Sequence, residues 1–252
     1  GDQYIPFSFV DGNKVVANVS VNIIDFIIQG KKYKALQIGT VMTHPEYRNR
    51  GLSSRLMNKV LEEYKDQYNF MYLFANDTVL DFYPKFGFRE VEEYQFSLEY
   101  TVDQAPVGGI RKLDVDKKED LEFLYQVVKD RIPVSKVFAT SNSQSITMYH
   151  CLNVFNHNLY YHEQEDAIVI FQKNRKQLDI YNIISKREVN MESILSSIAD
   201  KKTNHIVYHY TPDFEGHKLD RHLYKREGAL FVKTNHDLSF PLGVKHPITS
   251  EA

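Results

Sequence analysis

Apolar and polar positions alternate along residues 5–10 and again along 15–28, on either side of Asp11-Gly12. This pattern predicts a β-hairpin closed by a tight turn. Gln29-Gly30-Lys31-Lys32 then turns the chain into a third strand over about 33–42. After Gly51, the residues Leu52, Leu56, Met57, Val60, Leu61 and Tyr64 recur at the spacing of one helical face. Residues 70–75 are a short apolar run of the kind found in buried strands. Residues 77–83 read as a short helix stopped by Pro84 and the Phe86-Gly87-Phe88 turn, and 89–100 alternate like a strand. The order β-β-β-α-β-α-β predicts an α/β fold, a mixed sheet flanked by helices.

Residues 101–109, with Pro106 and the Gly108-Gly109 pair, form the best linker. The expected domains are therefore 1–104 and 105–252. Beyond the linker the pattern predicts a strand at 110–113, helices at 117–132 and 143–155, and strands near 158–162, 167–171 and 178–184. A helix at 191–199 and strands at 205–210 and 229–233 complete it. The order β-α-α-β-β-β-α-β resembles the first half extended by an N-terminal β-α-α unit, with no sequence repeat behind the likeness.

Composition narrows the class. With 42% hydrophobic and 25% charged residues, the 252-residue chain is that of a globular protein. Its 31 basic and 33 acidic residues leave a net charge of −2, which argues against nucleic acid as a partner and confines any electropositive site to a local patch. No apolar run reaches the roughly 18–20 residues needed to span a bilayer, and no signal-peptide pattern opens the chain, so no membrane association is expected. The single cysteine, Cys151, fits a reducing, cytoplasmic setting and reads as a small buried side chain. Ten histidines raise the question of a metal, but none lies in a liganding pattern with a carboxylate, and none is expected. The chain begins at Gly1, close to its first strand.

Candidate chemistry concentrates in residues 36–53, where a strand runs through a Pro-containing turn into a basic, Gly-bearing loop and then a helix. The first N–H groups of a helix lack intrahelical partners, and the helix dipole makes that end positive. Such an end accepts a phosphate or diphosphate. Gly51 permits close approach, Ser53 is small, and Arg48 and Arg50 add charge.

The run Arg48-Asn49-Arg50-Gly51-Leu52-Ser53 resembles the Arg/Gln-x-x-Gly-x-Gly/Ala motif of the GNAT superfamily of acetyl-CoA-dependent N-acetyltransferases, with Ser53 replacing the usual last Gly or Ala. A second segment, 76–88, resembles the family's Phe-Tyr-x-x-x-Gly-Phe element. The resemblance covers about residues 5–100 and implies a mixed, mostly antiparallel sheet. The second half, whose Lys186-Arg187-Glu188-Val189-Asn190-Met191 contains no glycine at the comparable place, would be a degenerate GNAT-like domain without its own cofactor, walling the acceptor site or dimerising. The two-domain acetyltransferases linked with aminoglycoside modification and intracellular survival are a looser comparison. By the same resemblance, the N-terminal strand-helix-helix unit of the first domain is expected to be absent from this sequence, through processing of the start or because part of the natural N-terminus lies outside it.

The resemblance implies acetyl transfer from acetyl-CoA to a small-molecule or peptide amine in a ternary complex. Val41, Met42 and Thr43 would line the pantetheine arm and supply oxyanion donors. Arg48, Asn49, Arg50, Gly51, Leu52, Ser53 and Ser54 would hold the diphosphate, and Asn76 the cofactor amides, its alternative being a helix cap or turn former. Tyr83 would protonate the departing thiolate, its alternative being simple packing beside Phe82 and Phe86. A primary amine is only on the order of one part in a thousand neutral at physiological pH, so deprotonation accounts for about 4 kcal/mol of barrier. The base is a gap: Gln37 occupies the position where some relatives carry Glu, and an amide cannot accept the proton. Gln37 therefore either orients a water or is simply a strand residue, and the base is a water chain or lies elsewhere in the chain. His44 and Glu46 read as solvent-facing. A non-catalytic acyl-CoA-binding module is the rival reading. A phosphotransferase is disfavoured because no Gly-Lys-Ser/Thr follows the loop. The acceptor's identity and oligomeric state are left open.

Overall fold

The hairpin around Asp11-Gly12 forms from β1 (Tyr4–Asp11) and β2 (Lys14–Ile28), with Gly12 at φ +58 in the turn. The structure is a computed structural model and describes residues 3–102, 108–235 and 238–252. Gly1, Pro106 and the expected boundary between 104 and 105 lie outside the described residues. β3 (Lys31–Thr43) runs antiparallel to β2, α1 (Leu52–Glu63) comes next, and β4 (Phe70–Ala75) returns parallel to β3. The helical stripe does what its spacing demands: Leu56, Met57 and Val60 are buried in one cluster with Ala17, Val19, Val21, Ile38 and Leu73.

Two expectations need correction. Residues 77–83 are not one helix but the 3₁₀ turn Asp77–Val79 and the start of a second, Tyr83–Phe86. Pro84 sits inside that second turn, where its missing N–H costs no hydrogen bond, and Gly87 at φ +82 ends it. Residues 89–100 are not one strand: β5 (Arg89–Val91) and β6 (Glu93–Glu99) break at Glu92 and join different sheets.

The remaining elements are β7 (Ile110–Lys112), α2 (Lys118–Asp130), β8 (Phe138–Ser141), α3 (Gln144–Asn153), β9 (Leu159–His162), β10 (Ala167–Asn174), β11 (Gln177–Ser185), α4 (Met191–Ile198), β12 (His205–Tyr208), β13 (Asp220–Tyr224) and β14 (Ala229–Thr234). β8 and β13 have no counterpart in the hydropathy pattern, the first being short and the second polar and mostly exposed. Among the described residues there are two mixed, mostly antiparallel sheets. The first has the order β1-β2-β3-β4-β14-β5, with β8 on β2, and the second β13-β6-β12-β11-β10-β9-β7.

The sheets exchange strands. β6 inserts between β12 and β13, while β14 inserts between β4 and β5. Segment 238–252 crosses the first sheet on the face opposite α1, where Phe240 and Val244 are buried with Phe26, Phe70, Tyr72 and Phe138. Among the described residues no helix is long and apolar enough to cross a membrane.

Candidate active site

β3 and β4 pair only from Ala35–Ile38 to Phe70–Leu73, although β3 continues to Thr43 and β4 to Ala75. Past Ile38 the two strands part, and backbone groups facing the gap are left for another partner. A bulge in β3 widens the opening. Asn18 opposes Met42 and Ser20 opposes Gly39, so Thr40 and Val41 together face Val19. Thr40 has φ +48, an unfavourable region for a β-branched residue. Side chains of β2 hold it there: Asn18 Nδ2 donates to Thr40 O at 3.1 Å and Ser20 Oγ to Gly39 O at 2.8 Å. Val41, Met42 and Thr43 thus lie on the diverging end of β3.

The loop after β3 folds on itself. Tyr47 N–H donates to His44 O, and Arg50 Nη2 donates to Glu46 O at 3.1 Å with its guanidinium over the Tyr47 ring. Arg48 Nε reaches Thr43 O at 3.5 Å. Asn49 (φ +62) and Gly51 (φ +69) take left-handed conformations, and a Cβ at Gly51 would meet nothing within 4 Å among the described residues. α1 opens without a side-chain cap, and its first turn closes through Arg55 N–H on Gly51 O. The N–H groups of Leu52, Ser53 and Ser54 precede that bond and point out of the helix end. Ser53 does more than stay small: its Oγ bonds Thr43 Oγ1 at 2.6 Å, tying the helix start to the diverging strand.

Asn76 is exposed where β4 ends. Its carbonyl accepts from Val79 N–H, but its side chain makes no cap bond. Tyr83 is 5% exposed and packs on the rings of Phe82, Phe88 and Phe231. Burial raises its phenol pKa, so the hydroxyl keeps its proton at neutral pH. Gln37 is fully buried on the face opposite α1, where Nε2 donates to Ser250 O at 3.1 Å and Oε1 has no partner among the described residues. His44 and Glu46 lie on the loop with a 3.7 Å contact, Glu46 being exposed.

Sequence reasoning missed the strand side chains that shape the bulge. The signal is visible in retrospect: Asn18, Ser20 and Asn22 put polar groups at every second position of an otherwise apolar strand, and all three are buried on the Gln37 face.

The second sheet repeats the parting of strands. β11 pairs in parallel with β12 only through Gln177–Ile180 and runs on to Ser185. There, however, Asn190 caps α4 through its own side chain, accepting from Ser193 N–H at 3.2 Å. Cys151 is buried, and burial pushes its thiol up to about 12. His205 pairs with Glu99 and His209 with Asp179, so these histidines serve separate carboxylates.

Residues 7–91 match the family model described as an acetyltransferase (GNAT) domain. Among solved structures, a conserved protein of unknown function from Enterococcus faecalis aligns with a TM-score of 0.57 at 14% identity, over 92% of this chain and 62% of that one. Eis1 from Mycobacterium abscessus gives 0.57 at 9% identity, over 91% and 63%. A GCN5-related N-acetyltransferase from Kribbella flavida gives 0.53 at 17%, over 91% and 60%. At these identities the likeness is one of fold, and the chain spans less than two thirds of the length of each. A search of curated proteins by sequence gives no match.

Proposed function

Residues 7–91 match the model of a GNAT acetyltransferase domain, and from that likeness we propose that the chain transfers acetyl from acetyl-CoA to a primary amine by direct attack. One observation carries the reading: β3 parts from β4 after Ile38, over a bulge, beside the uncapped start of α1. A pantetheine arm laid in that gap would pair with the free edge of β3 as a strand does. Val41, Met42 and Thr43 would line it, and their backbone N–H groups are the candidates to polarise the thioester carbonyl. The diphosphate would then rest on the loop Arg48, Asn49, Arg50 and Gly51 and on the N–H groups of Leu52, Ser53 and Ser54. Asn76, across the gap, would hold a pantetheine amide. The buried, protonated Tyr83 would donate to the leaving sulfur.

The rival, a module that binds acyl-CoA without turnover, draws on Gln37, whose amide is already engaged by Ser250. Titration calorimetry tests the common ground. Acetyl-CoA is expected to bind the wild-type chain, and Gly51→Glu to weaken binding at least tenfold, since a side chain at φ +69 strains the loop and sets a carboxylate against the diphosphate. Undiminished binding by the variant refutes the site. Turnover of free CoA in the presence of amines refutes the rival.

A further inference from the structure

On the face of the first sheet opposite α1, an ion-paired cluster drawn from distant parts of the chain packs against β4. Arg226, between β13 and β14, donates from Nη2 to Glu251 Oε2 at 2.6 Å and from Nη1 to Glu93 Oε2 at 2.8 Å, with its guanidinium 4.3 Å from the centre of the Phe74 ring on β4. Glu93 Oε1 accepts from Lys245 Nζ at 3.2 Å and from His246 N–H at 3.1 Å. His246 donates from Nδ1 to Pro247 O, so its Nε2 accepts from Tyr72 OH at 3.1 Å. Burial keeps that imidazole neutral. Glu93 is therefore partnered at both oxygens, and Glu251 is partnered at Oε2.

Glu251 Oε1 is not. It is enclosed and has no hydrogen-bond partner among the described residues, and neither has Gln37 Oε1. The two acceptors stand on neighbouring pieces, because Gln37 Nε2 holds the carbonyl of Ser250. The backbone of Glu251 is fixed from the other side by His150 Nε2, which donates to its carbonyl at 2.7 Å. The next residue, Ala252, brings its Cβ within 3.7 Å of where a Cβ on Gly39 would lie, at the start of the bulge. Two enclosed oxygens, one of an amide and one of a carboxyl that accepts when ionised, stand beside the place where the strands part and suit a donor with several protons. A primary ammonium is such a donor.

We propose that Glu251 is the general base of acetyl transfer and that Gln37 Oε1 and Glu251 Oε1 together receive the acceptor's ammonium. This deepens the proposed function and rests on it. The cofactor would enter the gap from the α1 side and the amine from the opposite face, so the two approach the bulge from opposite sides, as attack on a carbonyl requires. The ammonium gives one proton to Glu251 Oε1. The neutral nitrogen then bonds to the thioester carbon, and the carbon–sulfur bond breaks with its electron pair going to sulfur. The thiolate takes the Tyr83 proton. The second nitrogen proton restores the phenol through solvent, and Glu251 returns its own to bulk.

The surroundings suit a base at neutral pH. Burial raises the Glu251 carboxyl above the ordinary glutamate range, opposed by Arg226 and Lys245 and assisted by Glu93. The other titratable neighbours, His246, His150, Tyr72 and Tyr224, are neutral there: burial lowers the first two and raises the last two. Arg226 is a positioning residue, since it fixes Oε2 and leaves Oε1 free.

The test compares wild type with Glu251→Gln in two steps. Calorimetry first checks that both bind acetyl-CoA within twofold; failure of the wild type to bind sinks the acetyltransferase reading and this assignment with it, whereas the kinetic comparison tests the assignment alone. CoA release with spermidine and with kanamycin is then followed from about pH 6 to about pH 10. The variant should lose on the order of 100-fold in kcat at neutral pH and recover as free amine accumulates. A variant within threefold of wild type, with the same pH profile, overturns the proposal. Should neither amine react, carboxyl-¹³C glutamate NMR decides. One resonance absent from Glu251→Gln must titrate above the ordinary glutamate range, and move when spermidine is added; an ordinary, unmoved titration overturns it equally.

Discussion

Under the proposed function, Tyr83 would carry two demands at one position. Its ring is core, wedged among Phe82, Phe88 and Phe231, and its hydroxyl is the only acid the GNAT resemblance assigns. Packing and chemistry separate in Tyr83→Phe, which keeps the ring. The expected result is a 10- to 100-fold loss of kcat in spermidine-dependent CoA release, with acetyl-CoA affinity unchanged. Because burial raises the phenol's pKa, the wild-type contribution persists below the ordinary tyrosine value near 10 and falls only above it. Equal kcat in the two proteins would leave Tyr83 a packing residue. Ser53 teaches a related lesson: its size was legible from the motif, but its bond to Thr43 depends on where the strand ends.

At the scale of elements, the exchanged strands decide how the chain can be divided. β14 completes the sheet built by residues before the linker, pairing over Ala229–Thr234 with β4, and Gly228 fits there because a Cβ would lie 1.8 Å from Ala75 O. β6 does the reverse, giving β12 its antiparallel neighbour. Fragments 1–104 and 105–252 would each lack an inner strand and expose a long hydrogen-bonding edge. Expressed separately they are expected to be unfolded or aggregated by circular dichroism and gel filtration, and to recover native signal only when co-expressed. Two independently folded, monomeric halves would contradict this. Hydropathy located β6 and β14 as strands, yet alternation says only that a strand has two faces, not which sheet it joins. The break at Glu92 was likewise invisible, because Glu93 looks like a solvent-facing residue until Arg226 and Lys245 are brought to it.

For the whole molecule, the burial of neutral phenols sets a limit at high pH. Tyr72, Tyr208 and Tyr210 are enclosed in the cores, and burial raises all three above the ordinary value. A raised native pKa gives stability that is complete below the unfolded-state value, about 10, and is lost as pH climbs from there toward the native values. Alkaline unfolding is therefore expected to begin above about pH 10, with a late fraction of tyrosinate absorbance appearing together with loss of far-ultraviolet ellipticity. Ionisation of every tyrosine before any loss of structure would refute it. The sequence by itself determined what is local. The period of the α1 stripe, the hairpin at Asp11-Gly12 and the left-handed turn at Gly51 into α1 all arise from neighbours within a few residues, where backbone geometry leaves few choices. Only the tertiary structure decided which strands part, which sheet receives β6 and β14, and that Glu93 and Glu251 converge on Arg226. Charges so far apart in the chain meet only because burial in the folded molecule forces each to find a partner, and no local pattern encodes that choice.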